Sequence, residues 1–395
     1  MILAALLLPA AVVVLLLCVH RFRLPVFLAL MAVVVGYGIA AQMTFQSIGK
    51  AFGLGFTSAL EQAGLLVVAG GLLRSLLLKQ PLTGSAAALT GVLAGLGGSA
   101  AGGLALLQPS GIGAPRRAVG LALTLLAVHA LIVPAPLAVA AQAVLKASGA
   151  IAFWLAVPAA AIAALVGWLF AAASARDSER GHFSVKWLAV IVPLALLVVQ
   201  AVAQMPTEPL GKGGAREFYT GISHPLILLV LAVALAVLLA RRWQPTAFAD
   251  TSWAPLLLAV GAAGGFARVL DETGMAELLA ERVLDPRLGL LVPFLAAAIV
   301  KTMQGNSLSA VLTASGMVEP MLPALGLDST AGRALAAAAT GAGSIAICHV
   351  NDPFFWIAAH MAEFSPARAL RTISFGSLVI ALAALIVLVL LRLVL

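Results

Sequence analysis

Charged side chains are scarce in this sequence: only 10% of its 395 residues are Asp, Glu, Lys or Arg. A soluble domain carries about a quarter, so too little polar surface exists here to cover a molecule in water. Carboxylates are rarest in the first half, where Glu61 is the only one before Asp177. Cysteine is nearly absent as well. Cys18 and Cys348 are far apart and both lie in apolar segments, which excludes a disulfide framework and offers no metal-ligand spacing. The formal net charge of +8 comes from scattered residues, so it is not a nucleic-acid footprint; it suits an anionic inner leaflet. What fills the chain instead is apolar: 63% of residues are AVILMFWYC, with a mean hydropathy of +1.12. These runs are continuous, whereas the strands of a membrane β-barrel alternate apolar with polar residues. The composition therefore specifies an all-α polytopic membrane protein and excludes a cytosolic enzyme, a secreted domain and a nucleic-acid binder.

The gaps between charges outline the spans. Charge-free stretches run Leu24–Gly49, Leu82–Pro115, Ala118–Leu145, Ala147–Ala175, Trp187–Thr207, Phe218–Ala240 and Thr372–Leu391. Each reaches the roughly 20 residues that cross a hydrocarbon core of about 30 Å. Shorter runs at Thr251–Ala267, Leu288–Val300, Thr302–Val318 and Ala334–Asn351 fit broken helices or re-entrant hairpins, giving about ten to twelve membrane elements. The first apolar run lacks a basic leader and a small-residue cleavage site, and Arg21 and Arg23 follow it. It reads as a retained first membrane helix. Arg21/Arg23, Arg176–Lys186, Arg241/Arg242 and Arg368/Arg371 form the basic connections, while Met205–Gly221 balances Lys212 and Arg216 with Glu208 and Glu217. With the basic loops cytoplasmic, the balanced loop and both termini face outside.

The longest polar stretch in the interior, Ser174–Lys186, closes a first half. The expected organisation is an N-terminal membrane repeat over 1–175, connecting loops with one helix over 176–222, and a C-terminal membrane repeat over 223–395. Each half carries the same order of breaks. Gly70-Gly71 is followed by the Gly97–Gly103 tract, Ser110-Gly111, His129, Pro134 and Pro136; Gly264-Gly265 is followed by Gly305-Asn306-Ser307, Ser315-Gly316, His349 and Pro353. Two halves repeating one order of breaks are the sequence mark of transporter inverted repeats, with chance the competitor in a chain so rich in Gly and Ala.

Two segments carry most of the chemistry. Lys301–Gly316 holds Thr302, Gln304, Asn306, Ser307, Ser309, Thr313 and Ser315. A helix opened at Gly305-Asn306 exposes backbone N–H groups and a positive dipole end, which receive a carboxylate without a fixed Arg. The competing reading is close helix packing through small polar residues. The second segment places His349, Asn351 and Asp352 before Pro353 and an aromatic cluster. An Asp at membrane depth is by default functional; it can also be an N-cap at the start of a helix, and the two roles are compatible. His349 titrates near neutral pH by type or serves as a structural hydrogen-bonding group. Gly264–Gly274 ends in Asp271 and Glu272, which mark a solvated helix end or an acidic cavity position.

These residues resemble the gluconate permease family. Gly341-Ala-Gly-Ser-Ile-Ala-Ile-Cys-His-Val-Asn-Asp-Pro-Phe-Phe-Trp356 is similar to its Gly-Ala-Gly-Ser … Ser-His-Val-Asn-Asp … Phe-Trp signature. Gly264-Gly265 … Val269-Leu270 … Glu272-Thr273-Gly274, Gly305-Asn306-Ser307 … Gly316 and His129 … Pro134-Ala-Pro136 resemble three further elements. There are departures: no carboxylate stands in Gly97–Gly103, Lys301 stands where an Arg is common, and Cys348 replaces a Ser. The resemblance implies two inverted repeats with re-entrant hairpins and broken helices, a homodimer, and proton symport of gluconate or a related hydroxy-carboxylate across a bacterial cytoplasmic membrane. Gly305, Asn306, Ser307, Ser309, Thr313, Asn351, Ser99 and Ser110 are then expected to hold the anion, and Asp352 or His349 the proton. No metal or cofactor is expected. The competing functions are a sodium-coupled or exporting organic-anion transporter, or a non-transporting assembly subunit. An enzyme is not expected, because no nucleophile has a base nearby and no metal spacing occurs.

Overall fold

The computed structural model describes residues 2–77, 82–111, 113–178, 183–240, 248–249, 251, 253–281 and 284–395. Arg241 and Arg242, and part of the Arg176–Lys186 connection, lie outside the described residues. The described residues form helices joined by turns, with no strand among them. The first half contains α1 (Ile2–His20), α2 (Val26–Ala40), α3 (Phe45–Ala59), α4 (Leu65–Leu77), α5 (Gly84–Gly95), α6 (Ala100–Leu106), α7 (Pro115–Leu131), α8 (Pro136–Val144) and α9 (Gly149–Ser174). Next come α10 (Leu188–Ala203), α11 (Gly214–Ile222) and α12 (Pro225–Ala240). The second half has α13 (Ala254–Asp271), α14 (Met275–Ala280), α15 (Leu291–Gln304), α16 (Ser307–Val318), α17 (Thr330–Gly343), α18 (Pro353–Met361), α19 (Pro366–Ala369) and α20 (Phe375–Val394).

Among the described residues six helical runs are long and apolar enough to cross a membrane, or seven if α11 and α12, bent by 50°, form one span. Four shorter apolar helices join them. Several charge-free stretches are divided rather than straight. Leu24–Gly49 turns after Ala40 and starts again as α3; Leu82–Pro115 becomes α5 and α6; Ala118–Leu145 falls within α7 and α8. The few polar residues of the chain decide where helices restart. Thr44, Thr83, Ser99, Asn306, Ser329, Asp352 and Ser365 each N-cap the helix that follows, with a side-chain oxygen accepting a backbone N–H. An unpaired backbone donor in lipid costs several kcal/mol, and these caps satisfy at least one such donor at each of those starts; α2, α7, α8 and α9 begin without a side-chain cap.

The halves pack through each other. α13 lies against α3, where a Cβ at Gly55 or Gly264 would meet the other helix's backbone; only glycine permits that approach. α16 packs on α8, and α18 packs on α6 and α13, so each half's second short helix touches the other half. In the connecting region, Glu208 pairs with both Lys212 (3.2 Å) and Arg216 (3.7 Å), neutralising the balanced loop internally.

Candidate functional site

Four helices begin at one place. A cavity of about 540 Å³ is lined by the starts of α6 (Ser99 to Ala101), α8 (Pro136, Leu137), α16 (Asn306 to Ser309) and α18 (Asp352 to Phe354). Its walls are completed by α3 (Gly55, Ser58), by Gln62 and Ala63 in the π-turn Leu60–Gly64, by His129 and by Gly264 on α13. That volume lies within the ordinary range for a small-molecule site. Each helix start brings backbone N–H groups and a partial positive charge. Proline at N1 of α8 and α18 fits these starts, because that position has no intrahelical acceptor for an N–H. Such convergence favours an anion without relying on a cationic side chain.

Beneath this surface lies a buried ion pair. Lys301, only 2% exposed, reaches from the last turn of α15 to the carboxylate Oδ2 of Asp352, itself 7% exposed. The ammonium also donates to the Gly305 carbonyl at 2.9 Å. The other Asp352 oxygen caps α18, accepting from Phe354 N at 2.8 Å, and the Cys348 thiol lies 3.1 Å from Oδ2. The positive group thus sits at the C-terminal end of α15 and the negative group at the N-terminal start of α18, so both helix dipoles are complemented. The sequence marked Lys301 only as a replacement for Arg. A lone Lys inside an apolar run was the signal that could have identified it.

The expected anion-site residues divide into two groups. Ser99, Gly305, Asn306, Ser307, Ser309 and Asp352 line the cavity. Asn306 Oδ1 accepts from Leu308 N (2.9 Å) and Ser309 N (3.2 Å), and Gly305 takes the left-handed conformation (φ 71°) that ends α15. Thr313, further along α16, does not line it; nor do Ser110, Asn351 and His349. Asn351 instead pins the break, donating from Nδ2 to Thr302 O and Met303 O, both at 3.1 Å. His349 Nε2 contacts Thr302 O at 2.8 Å. Ser110 is buried in the turn Gln108–Gly111, with no partner for its hydroxyl among the described residues. The lining also holds residues outside the expected set, among them His129, whose Nδ1 lies 2.9 Å from Gly95 O, and Arg268 and Asp271. Arg268 bonds Asp271 (2.6 Å) and Glu272 (2.7 Å), so these acids are charge-paired at the cavity rim. Among the described residues no group of three or more His, Cys, Asp or Glu is placed to hold a metal ion.

The GntP family permease model matches residues 104–394, and the chain belongs to that family. A gluconate permease of Pseudomonas aeruginosa is 26% identical over 448 aligned residues, covering 99% of this chain and 98% of that protein. The high-affinity gluconate transporter of Escherichia coli is 27% identical over 57% of this chain and 52% of its own length. The Gnt-II system L-idonate transporter of the same organism is 26% identical over 50% of this chain and 46% of its own. The match to these last two therefore spans about half of each relative. The protein is accordingly a multi-pass permease of the bacterial inner membrane, a transporter and not an enzyme.

Proposed function

We propose that this permease carries gluconate, or a closely related sugar acid, together with a proton, as a homodimer of two-repeat subunits. One observation carries the reading: the starts of α6, α8, α16 and α18 meet at a single cavity whose lining includes Asp352, the buried partner of Lys301. The helix starts receive the carboxylate, and Ser99, Ser307 and Ser309 offer hydroxyls to the polyol chain. A proton on Asp352 cancels its charge and leaves the Lys301 ammonium uncompensated behind the cavity, which draws the anion in. Proton and anion are then taken up together. Asp352 is favoured over His349 as the proton carrier because it lines the cavity.

The repeat reading rests on matching positions. In each half a helix, a capped break and a second helix (α5–α6; α15–α16) precede a broken pair whose second helix opens on proline (α7–α8; α17–α18). Both second helices end in a left-handed non-glycine residue, Lys146 and Glu363, followed two residues later by the N-caps Ser148 and Ser365. Relatives named for gluconate and L-idonate support a six-carbon sugar acid as cargo.

Purified protein in proteoliposomes tests the coupling. Labelled gluconate should accumulate when the outside is acidified at constant sodium, and a sodium gradient at fixed pH should drive nothing. Uptake driven by sodium alone would sink the proton reading. Cross-linking in native membranes checks the dimer.

A further inference from the structure

Uptake of an anion with a proton needs the cavity and Asp352 but gives the Lys301 ammonium no task beyond its charge. Its surroundings are those of a small cation. A carboxylate oxygen of Asp352 and the Gly305 carbonyl, freed at the break between α15 and α16, are its two hydrogen-bond acceptors. Carboxylates and carbonyls at the unwound end of a half-helix are the ligands that hold a coupling sodium in transporters with discontinuous helices. A further buried oxygen lies near Gly305, though it makes no bond to the ammonium. Asn351 is fully buried, its carboxamide lies against Gly305, and Oδ1 has no partner among the described residues. The C-terminal dipole of α15 adds negative potential at the same point.

We propose that Lys301 Nζ is a tethered cation occupying an alkali-cation site formed by Gly305 O and Asp352, with the unpartnered Asn351 Oδ1 buried beside the same break as a further ligand for a free ion. With that position permanently filled, no sodium ion can enter, and a proton on Asp352 is the only coupling charge left to the protein. This rests on Asp352-coupled anion uptake as argued above. An ordinary structural ion pair would leave the protein indifferent to added small cations, whether or not Lys301 is present.

The test vacates the site. Lys301→Ala in proteoliposomes with a pH gradient and potassium as the only alkali ion should lose uptake about tenfold or more, since Asp352 is left buried without a partner. Sodium or methylammonium should restore several-fold of that loss and raise the unfolding temperature of the purified variant. Wild type should respond to neither. Lys301→Ser supplies an additional oxygen and carries the same measurement if the alanine variant folds poorly. The double variant Lys301→Ala/Asp352→Asn removes the negative ligand and should show no cation response. Absence of any sodium or methylammonium effect on uptake and unfolding in both single variants overturns the proposal, as does failure to obtain either one folded in those salts. Wild-type uptake driven by a pH gradient would still stand in that case, so the two ideas fail separately.

Discussion

A single buried residue pair, Lys301 and Asp352, carries both the stability argument and the proposed chemistry of the site. Lys301 and Asp352 are each almost fully buried, and removing one partner from such a pair strands the other charge. Asp352→Asn should therefore destabilise the protein by about 3–5 kcal/mol; its unfolding in detergent should show this, and Lys301→Met in the same chain should recover most of it. Uptake driven by a pH gradient should be lost in both proteins. Gly305 matters for a different reason. Its left-handed backbone costs an L-residue about 1–2 kcal/mol, and a Cβ there would meet the Asn351 carbonyl oxygen. Gly305→Ala should thus lose more than that strain alone. Gly316, in α16 with open space around its Cβ position, is the control: Gly316→Ala should be neutral or gain up to about 1 kcal/mol.

At the scale of elements, the proposed function rests on the helix starts, and Asn306 allows capping to be tested apart from recognition. Asp caps as well as Asn does, so Asn306→Asp should keep the thermal stability of α16. It also adds a negative charge to the proposed anion cavity, and the KM for gluconate should rise at least about tenfold. Unchanged affinity would remove α16 from the binding site. Asn306→Ala, by contrast, should lose about 1–2 kcal/mol of stability. The breaks themselves could be read from the residues: Gly305-Asn306 cannot continue a helix comfortably, and Pro353 must begin one. What could not be read is which polar side chains face the cavity. Thr313 and Ser309 share one helix, one face and one chemistry, yet only Ser309 lines the site, because Thr313 lies a turn further from the helix start that opens on the cavity. The pairing of Lys301 with Asp352 spans 51 positions, and no local pattern announces it. The Leu24–Gly49 run was equally opaque; only Thr44, an unremarked cap, marks its turn.

For the whole molecule the deciding quantity is the charge that crosses the membrane in one cycle. Gluconate carries one negative charge at neutral pH, and in the proposed cycle one proton on Asp352 makes the pair neutral. Lys301 and its neighbours belong to the protein, so they do not enter the equilibrium: only cargo charges set how far accumulation can go. Neutral cargo is indifferent to membrane potential. A lone anion moving into an interior negative by 100 mV is opposed by about 2.3 kcal/mol, roughly fiftyfold in the accumulation ratio. The wild-type protein should therefore reach the same gluconate ratio at a fixed pH difference whether a potassium diffusion potential of either sign is imposed or not. Asp352→Asn, where it still moves gluconate, should lose the pH dependence and become sensitive to that potential, excluding gluconate about fiftyfold per 100 mV of interior-negative potential. A wild-type ratio that follows the potential would mean that more or fewer than one proton accompanies each anion, and Asp352 could then not be the sole carrier.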